Sequence, residues 1–223
     1  MAVSFQLKKR LDQFTLDVSC SFPEGVLVIQ GESGSGKSTI LNCVSGLLTP
    51  DSGSVEVDGR FLYNSGQNVN IPVQNRNIGY VFQNYALFPN MTVEKNILYG
   101  LKNQQDYKIK DKREDMLQYM EYILDTFRIG HLRKKYPYQI SGGEKQRTAL
   151  ARAIVTKPDL LLLDEPFSAL DLKTKKIVYQ EFLDLKQQMQ MPIILISHDP
   201  KESDLFADHR LYLEQGREVE PFA

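Results

Sequence analysis

Gly31-Glu32-Ser33-Gly34-Ser35-Gly36-Lys37-Ser38 decides how this chain is read. It follows the apolar run Val26-Leu27-Val28-Ile29 and precedes Thr39-Ile40-Leu41-Asn42-Cys43-Val44. That order is strand, glycine-rich loop, helix, the context in which G-x-x-x-x-G-K-[ST] forms a phosphate-binding loop. Glycines let the backbone wrap tightly, so successive N–H groups point inward as an anion nest. The helix that starts there adds the positive end of its dipole. Gly31, Ser33, Gly34, Ser35, Gly36, Lys37, Ser38 and Thr39 are the candidate contacts. Lys37 is expected to reach the β- and γ-phosphates, and the Ser38 hydroxyl to ligate Mg²⁺. A nucleoside triphosphate is the expected ligand.

A second acidic signature agrees. Leu160-Leu161-Leu162-Leu163 runs into Asp164-Glu165. A carboxylate at the end of a buried strand can reach the metal shell beside a phosphate loop, which assigns Asp164. Glu165, one residue on, can orient or deprotonate an attacking water.

The rest of the composition sets bounds. The chain has 223 residues, enough for one domain with a sizeable core. Hydrophobic residues make up 42%, ordinary for a globular protein. With a formal net charge of -1 there is no global field to draw nucleic acid or an acidic membrane. Lys8-Lys9-Arg10 reads as a solvated face at a strand end. Cys20 and Cys43 are the two cysteines and have no metal-ligand spacing, which fits a reducing compartment. No apolar stretch approaches the ~20 residues that span a bilayer. The first ten residues lack the apolar core of a signal peptide. A cytoplasmic protein is expected, with any membrane role supplied by a partner.

Along the chain, Phe14, Leu16 and Val18 alternate with polar residues and predict a half-buried strand. Ser54 to Arg60 reads as a strand with a tight turn, Tyr63 to Asn77 as an exposed loop, and Gly79 to Phe82 as a short buried strand. Thr92 to Lys135 carries helical periodicity, with Met116, Tyr119, Met120, Ile123 and Leu124 on one apolar face. Further helices are expected from Gly142 through Ile154 and from Lys173 to Met189. Leu160-Leu163 and Ile193-Ile196 are short apolar runs bounded by breakers, as in strands buried on both faces of a parallel sheet.

Ser141-Gly142-Gly143 precedes a predicted helix and makes a second anion-binding element. One nucleotide does not need two such elements in one chain. They make sense if the second faces a nucleotide held by another copy. Here the chain resembles the nucleotide-binding subunits of ATP-binding cassette transporters of the importer type. Ser141-Gly142-Gly143 matches that family's signature, with Ile140 where Leu is usual and Glu144 where Gln is usual. Gln83, after Tyr80-Val81-Phe82, matches the Q-loop glutamine. Ser168-Ala169-Leu170-Asp171 matches the D-loop, and His198 the switch histidine.

The resemblance covers essentially the whole chain and carries expectations. It implies an α/β P-loop fold: a mostly parallel sheet core with an N-terminal antiparallel β part. An α-helical subdomain at about 84–150 is inserted in the RecA-like core. The expectation is one cassette domain over 1–223 with no C-terminal regulatory domain. It implies ATP and Mg²⁺, with Ser38, Gln83 and Asp164 at the metal and Glu165, His198 and Gln83 in catalysis. Ser141, Gly142, Gly143 and Asp171 are implied to meet the nucleotide across a dimer of two copies. Whether Glu165 is a full base or His198 orients the water is open, as is the choice of Phe14 or Phe5 to stack on adenine. Residues Gln83–Thr92 resemble the segment that docks a membrane permease, at the inner face of the membrane. A periplasmic or lipid-anchored solute-binding protein would act indirectly. The Pro72…Arg76…Gly79-Tyr80-Val81-Phe82-Gln83 pattern is similar to molybdate importer ATPases. Other oxyanions, polyamines, metal chelates and sugars stay open. Two rival classes fit less well. Nucleic-acid or ribosome-acting cassettes usually join two cassettes in one chain, and P-loop kinases and GTPases lack the Ser141-Gly142-Gly143 element.

Overall fold

The computed structural model describes residues 2–102, 104–188 and 191–220. The chain forms two compact units: 1–80 with 159–165 and 186–223, and 81–158 with 166–185.

The first unit is built on a sheet. In chain order the strands are β1 Val3–Arg10, β2 Thr15–Phe22, β3 Val26–Gln30, β4 Ser52–Val57, β5 Arg60–Asn64, β6 Val69–Asn70, β7 Ile78–Val81, β8 Leu160–Asp164, β9 Ile193–Ile196, β10 His209–Glu214 and β11 Arg217–Val219. The spatial order is β6-β5-β4-β1-β2-β11-β10-β3-β9-β8-β7. Strands β10, β3, β9 and β8 are mutually parallel, while β1, β2, β4, β5 and β6 form antiparallel ladders. The sequence difference explains the split. Strands β3, β8 and β9 are apolar at nearly every position and are buried on both faces. By contrast, β1 and β2 alternate buried and exposed residues. The helix α1, Lys37–Ser45, follows β3 and buries Ile40, Leu41, Cys43 and Val44 in a core shared with Leu16, Val18, Leu27, Ile29, Leu162 and Ile196.

The second unit is helical. It holds α2 Val93–Lys102, α3 Lys110–Thr126 and α4 Gly142–Ile154, and α5 Leu172–Gln188 begins in it. Gly100 lets α2 approach α4 closely, since a Cβ there would lie 3.0 Å from the Thr156 methyl. Arg147 on α4 donates to Glu181 on α5 at 3.0 Å.

Three expectations change. Tyr63–Asn77 is not all exposed loop: Tyr63 is buried and donates to the Pro50 carbonyl, and a hairpin to β6 follows. Its pattern is hidden because the hairpin strands are short and their outward residues polar. Arg76 in the same stretch is fully buried. It donates to the Cys43 and Val44 carbonyls at the C-terminal end of α1, to Ile71 and to Asn70. The Thr92–Lys135 periodicity resolves into α2 and α3, with a 3₁₀ turn at Gln105–Lys108 between them and another at Gly130–Leu132 after α3. Of its expected apolar face, Met120, Ile123 and Leu124 are buried, and Met116 and Tyr119 are half-buried. Met189, the expected end of the last long helix, lies outside the described residues.

Candidate functional site

The register of the parallel strands creates the site in the first unit. Ile29 of β3 pairs with Ile196 of β9, which pairs with Asp164 of β8. Three carboxyl ends therefore finish in one row. The phosphate loop leaves β3, Glu165 leaves β8, and Ser197-His198 leaves β9. Ligands of open α/β sheets bind at this edge.

The loop has the shape the sequence predicts. Gly31 sits at φ 146, where a Cβ would lie 2.1 Å from the Leu213 carbonyl oxygen, so no side chain fits. Gly36 is the N-cap of α1 at φ 107, with no side chain capping the helix. The first-turn N–H groups therefore have no cap side chain to bond, as at helix starts that hold an anion. Lys37, almost fully buried, donates to the Gly31 and Glu32 carbonyls at 2.8 and 2.7 Å. Ser35 is equally buried, and its hydroxyl has no partner among the described residues. A glycine-lined nest with an uncapped helix end and an orphaned hydroxyl fits a bound phosphate chain.

The acidic side of the site is also assembled. Ser38 Oγ donates to Asp164 Oδ1 at 3.2 Å. Glu165 and His198 form a close carboxylate–imidazole contact. Glu165 sits at φ 47, left-handed and just before a proline, and its N–H donates to the Ile196 carbonyl at 3.2 Å. Such a backbone costs about 1–3 kcal/mol and is found where a side chain must be aimed. Burial pushes the Asp164 carboxyl up, and the Glu165 charge adds to this, against the Ser38 hydroxyl and Lys37. Burial pulls the Lys37 ammonium down, opposed by Glu165 and Asp164. Both shifts disfavour the charged forms. The site's charges are under-compensated, as suits a pocket completed by phosphates and a cation. Among the described residues no cluster of three His, Cys, Asp or Glu side chains could hold a metal alone. Ser38 and Asp164 fit Mg²⁺, which keeps waters and takes phosphate oxygens.

Phe14 precedes β2 rather than lying within it. Its half-buried ring lies against the Gly216 turn: a Cβ there would come within 2.6 Å of the ring. A Cβ on Gly36 would be 3.5 Å from the same ring, so Phe14 borders the phosphate loop. Phe5, the other aromatic candidate, is buried in the core.

In the second unit, Gln83 is exposed in the turn after β7. Ser141 is the N-cap of α4, whose first residues are Gly142 and Gly143. Thr174 is why Gly143 is small: a Cβ would lie 2.6 Å from its methyl. Glu144 closes a capping box, accepting from Ser141 N and Oγ at 2.7 and 2.8 Å. The Ser141 backbone N–H, with smaller help from the Ser141 hydroxyl and the nearby Arg147 and Lys135 charges, holds the Glu144 carboxyl below its ordinary range against the opposing effect of burial. Asp171 accepts from Thr174 N and Oγ and from Lys173 N at the start of α5. Tyr85 corrects the picture of an exposed docking segment: it is buried, while Phe88 and Leu87 are half-buried.

Two supporting residues escape sequence reasoning. Ser197 is buried; its N–H donates to the Ile29 carbonyl and its Oγ to the Glu202 carboxylate, which pins the histidine loop to the strand bearing the phosphate loop. Gly216 donates to the Ser35 carbonyl at 3.0 Å. The only local signal for Ser197 is its place before His198. For Gly216 it is Gln215-Gly216, a turn between two strands.

The model of the family described as ABC transporter matches residues 15–168, more than half of the chain. The chain belongs to this family. The molybdenum import ATP-binding protein ModC of Vibrio cholerae is 41% identical over 216 residues, 96% of this chain and 56% of the relative. The molybdate/tungstate import ATP-binding protein WtpC of Archaeoglobus fulgidus is 38% identical over 220 residues, 99% of this chain and 86% of the relative. The chain spans little more than half the length of the first and most of the second. Among solved structures, a nucleotide-free cassette from an ABC transporter has a TM-score of 0.81 at 25% identity, covering 99% of this chain and 90% of that one. A dimeric cassette in a post-hydrolysis state with ADP and Pi has a TM-score of 0.76 at 26% identity, covering 99% and 97%. The expected α/β cassette fold, with its parallel core and antiparallel N-terminal part, is the fold observed.

Proposed function

We propose that this chain hydrolyses ATP as the nucleotide-binding subunit of an importer for molybdate or a related oxyanion. The observation that carries the enzymatic part is the single row of strand ends that gathers Lys37, Ser38, Asp164, Glu165 and His198 around the phosphate loop. The names of the relatives carry the solute.

In this reading the loop N–H groups and the start of α1 hold the β- and γ-phosphates, and Phe14 stacks on adenine. Lys37 releases the Gly31 and Glu32 carbonyls for the γ-phosphate. Mg²⁺, held through Ser38 and Asp164 with Gln83 assigned to the same metal or to the water, would neutralise developing phosphate charge. Glu165 accepts the proton of the attacking water as its oxygen bonds the γ-phosphorus and the bond to ADP breaks. His198 steadies the Glu165 carboxylate and stands near the γ-phosphate. A second copy supplies Ser141, Gly142, Gly143 and Asp171. For that, a γ-phosphate must draw the Ser141 donors away from Glu144. A permease docks at the Gln83–Thr92 segment from the inner face of the membrane, and a solute-binding protein delivers the oxyanion to it.

The test is cellular molybdenum and tungsten by mass spectrometry in the parent cell and in one carrying Lys37→Ala, both at limiting oxyanion. Loss of either metal, restored by excess oxyanion, is expected. Unchanged metal would overturn the oxyanion assignment.

A further inference from the structure

The turn that follows Gln83 is held in an unfavourable shape by one side chain from a distant part of the sequence. Tyr85 and Ala86 are consecutive non-glycine residues in the left-handed region, at φ 59 and 45. The turn is tight: Tyr85 N–H donates to the Phe82 carbonyl at 2.8 Å and Ala86 N–H to the Asn84 carbonyl at 2.6 Å. Left-handed backbone in two adjacent L residues persists only where surroundings over-determine it. Here the Arg152 guanidinium does so. Its Nη2 donates to the Tyr85 carbonyl at 2.9 Å and its Nη1 to the Ala86 carbonyl at 2.8 Å. The guanidinium carbon lies 5.3 Å from the centre of the Phe88 ring, a cation–π distance. Downstream, buried Asn96 on α2 bonds the backbone at Phe88, Met91 and Thr92. The segment between Gln83 and Asn96 is therefore fastened at both ends, and Arg152 is the fastening next to Gln83.

Arg152 lies on α4, the helix whose first turn carries Ser141-Gly142-Gly143. A planar fork spanning two adjacent carbonyls transmits both position and orientation, which one flexible ammonium cannot do. We propose that Arg152 is a positioning residue that couples α4 to the Gln83 turn, so that Gln83 and the Ser141-Gly142-Gly143 element move as one piece. The coupling rests on the reading of Gln83 as a residue of the hydrolytic step. A rotation of α4 drags the Tyr85 and Ala86 carbonyls and, through the Tyr85–Phe82 turn, sets where Gln83 stands. Arg152 touches no reacting atom, so its loss acts on turnover through Gln83 and leaves nucleotide affinity alone.

A double-mutant cycle on purified protein tests this, with ATPase kcat and ATP Kd measured for parent, Arg152→Ala, Gln83→Ala and the pair. Misplacing a catalytic group by about 1 Å can cost on the order of 100-fold in rate. Arg152→Ala is expected to lower kcat by about 10- to 100-fold with Kd within about threefold of the parent. In the Gln83→Ala background the same change should lower kcat by less than about twofold, because its route of action is already gone. Arg152→Lys should recover part of kcat, since it keeps the charge but not the fork. It also takes the place of Arg152→Ala in the cycle if that variant does not fold by circular dichroism. An equal drop in both backgrounds, an unchanged kcat, or a loss confined to Kd would overturn the proposal. Full turnover by Gln83→Ala alone would remove the reading of Gln83, and the proposal with it, whatever Arg152 does.

Discussion

Alanine at two glycines of the phosphate loop separates backbone strain from steric collision. At Gly34, φ is 82 and a Cβ meets nothing within 4 Å. Gly34→Ala therefore carries only the left-handed penalty, about 1–2 kcal/mol. At Gly31, φ is 146, and a Cβ would lie 2.1 Å from the Leu213 carbonyl oxygen and 2.9 Å from Ser35 Oγ. The carbonyl belongs to β10, which pairs with β3, so neither side of the collision can move alone. Backbone strain of about 1–3 kcal/mol adds to an overpacking cost of about 1–3 kcal/mol, giving about 2–6 kcal/mol for Gly31→Ala. Urea unfolding followed by circular dichroism reads both, and a fluorescent ATP analogue reads binding. Gly31→Ala should be the less stable by about 1 kcal/mol or more and should bind the analogue at least about tenfold more weakly, because the loop must shift off its own strand. Equal stability losses at the two positions would mean that the Leu213 collision costs nothing.

Three further outcomes are expected. Arg76→Ala removes the donor that the Val44 carbonyl accepts at the buried end of α1 and leaves the Cys43 carbonyl only the Gly46 N–H; it should lower unfolding free energy by about 1–3 kcal/mol, and a loss well under about 1 kcal/mol would show that water replaces the guanidinium. Asp208 is pushed up by burial but more strongly drawn down by Lys186 and the Val26 N–H, so its carboxyl lies below the ordinary value. Its folded pKa is depressed, so its stabilisation is present above the unfolded value of about 3.9 and is lost as pH falls through the folded value. The stability difference between parent and Asp208→Asn should be flat from about pH 7 to 5 and shrink below about pH 4 in acid titrations of unfolding. Gln146 is fully buried on α4, and neither amide atom has a partner among the described residues; Gln146→Met should raise stability by about 1–3 kcal/mol in thermal unfolding, whereas a lower midpoint would show that the amide is bonded in solution.

Much of the fold and the place of the candidate residues at the strand ends could be read from the chain because the deciding signals are local. A glycine pattern between an apolar run and a helix fixes the phosphate loop, and an acidic pair after four leucines fixes Asp164 and Glu165. What could not be read depends on contacts between distant segments. Arg76 looks like a loop cation until the C-terminal end of α1, some thirty residues earlier, is seen to need its donors. Tyr85 looks like a docking residue because an aromatic beside Leu87 and Phe88 suggests an apolar surface. Its left-handed backbone turns the ring inward instead. Ser197 carries no pattern of its own, and its task is set by β3, which lies far from it in sequence. The β5–β6 hairpin was hidden by the brevity of its strands.

In the proposed mechanism ATP closes a dimer of two copies, which reopens only when Glu165 supports hydrolysis. The most direct measurement is light scattering of the Glu165→Gln variant with ATP and Mg²⁺, paired with its ATPase rate. The proposed mechanism gives a stable dimer with almost no turnover, and a monomer when Lys37→Ala is added. A Glu165→Gln variant that turns over ATP at the parent rate, or that binds ATP and stays monomeric, would contradict it.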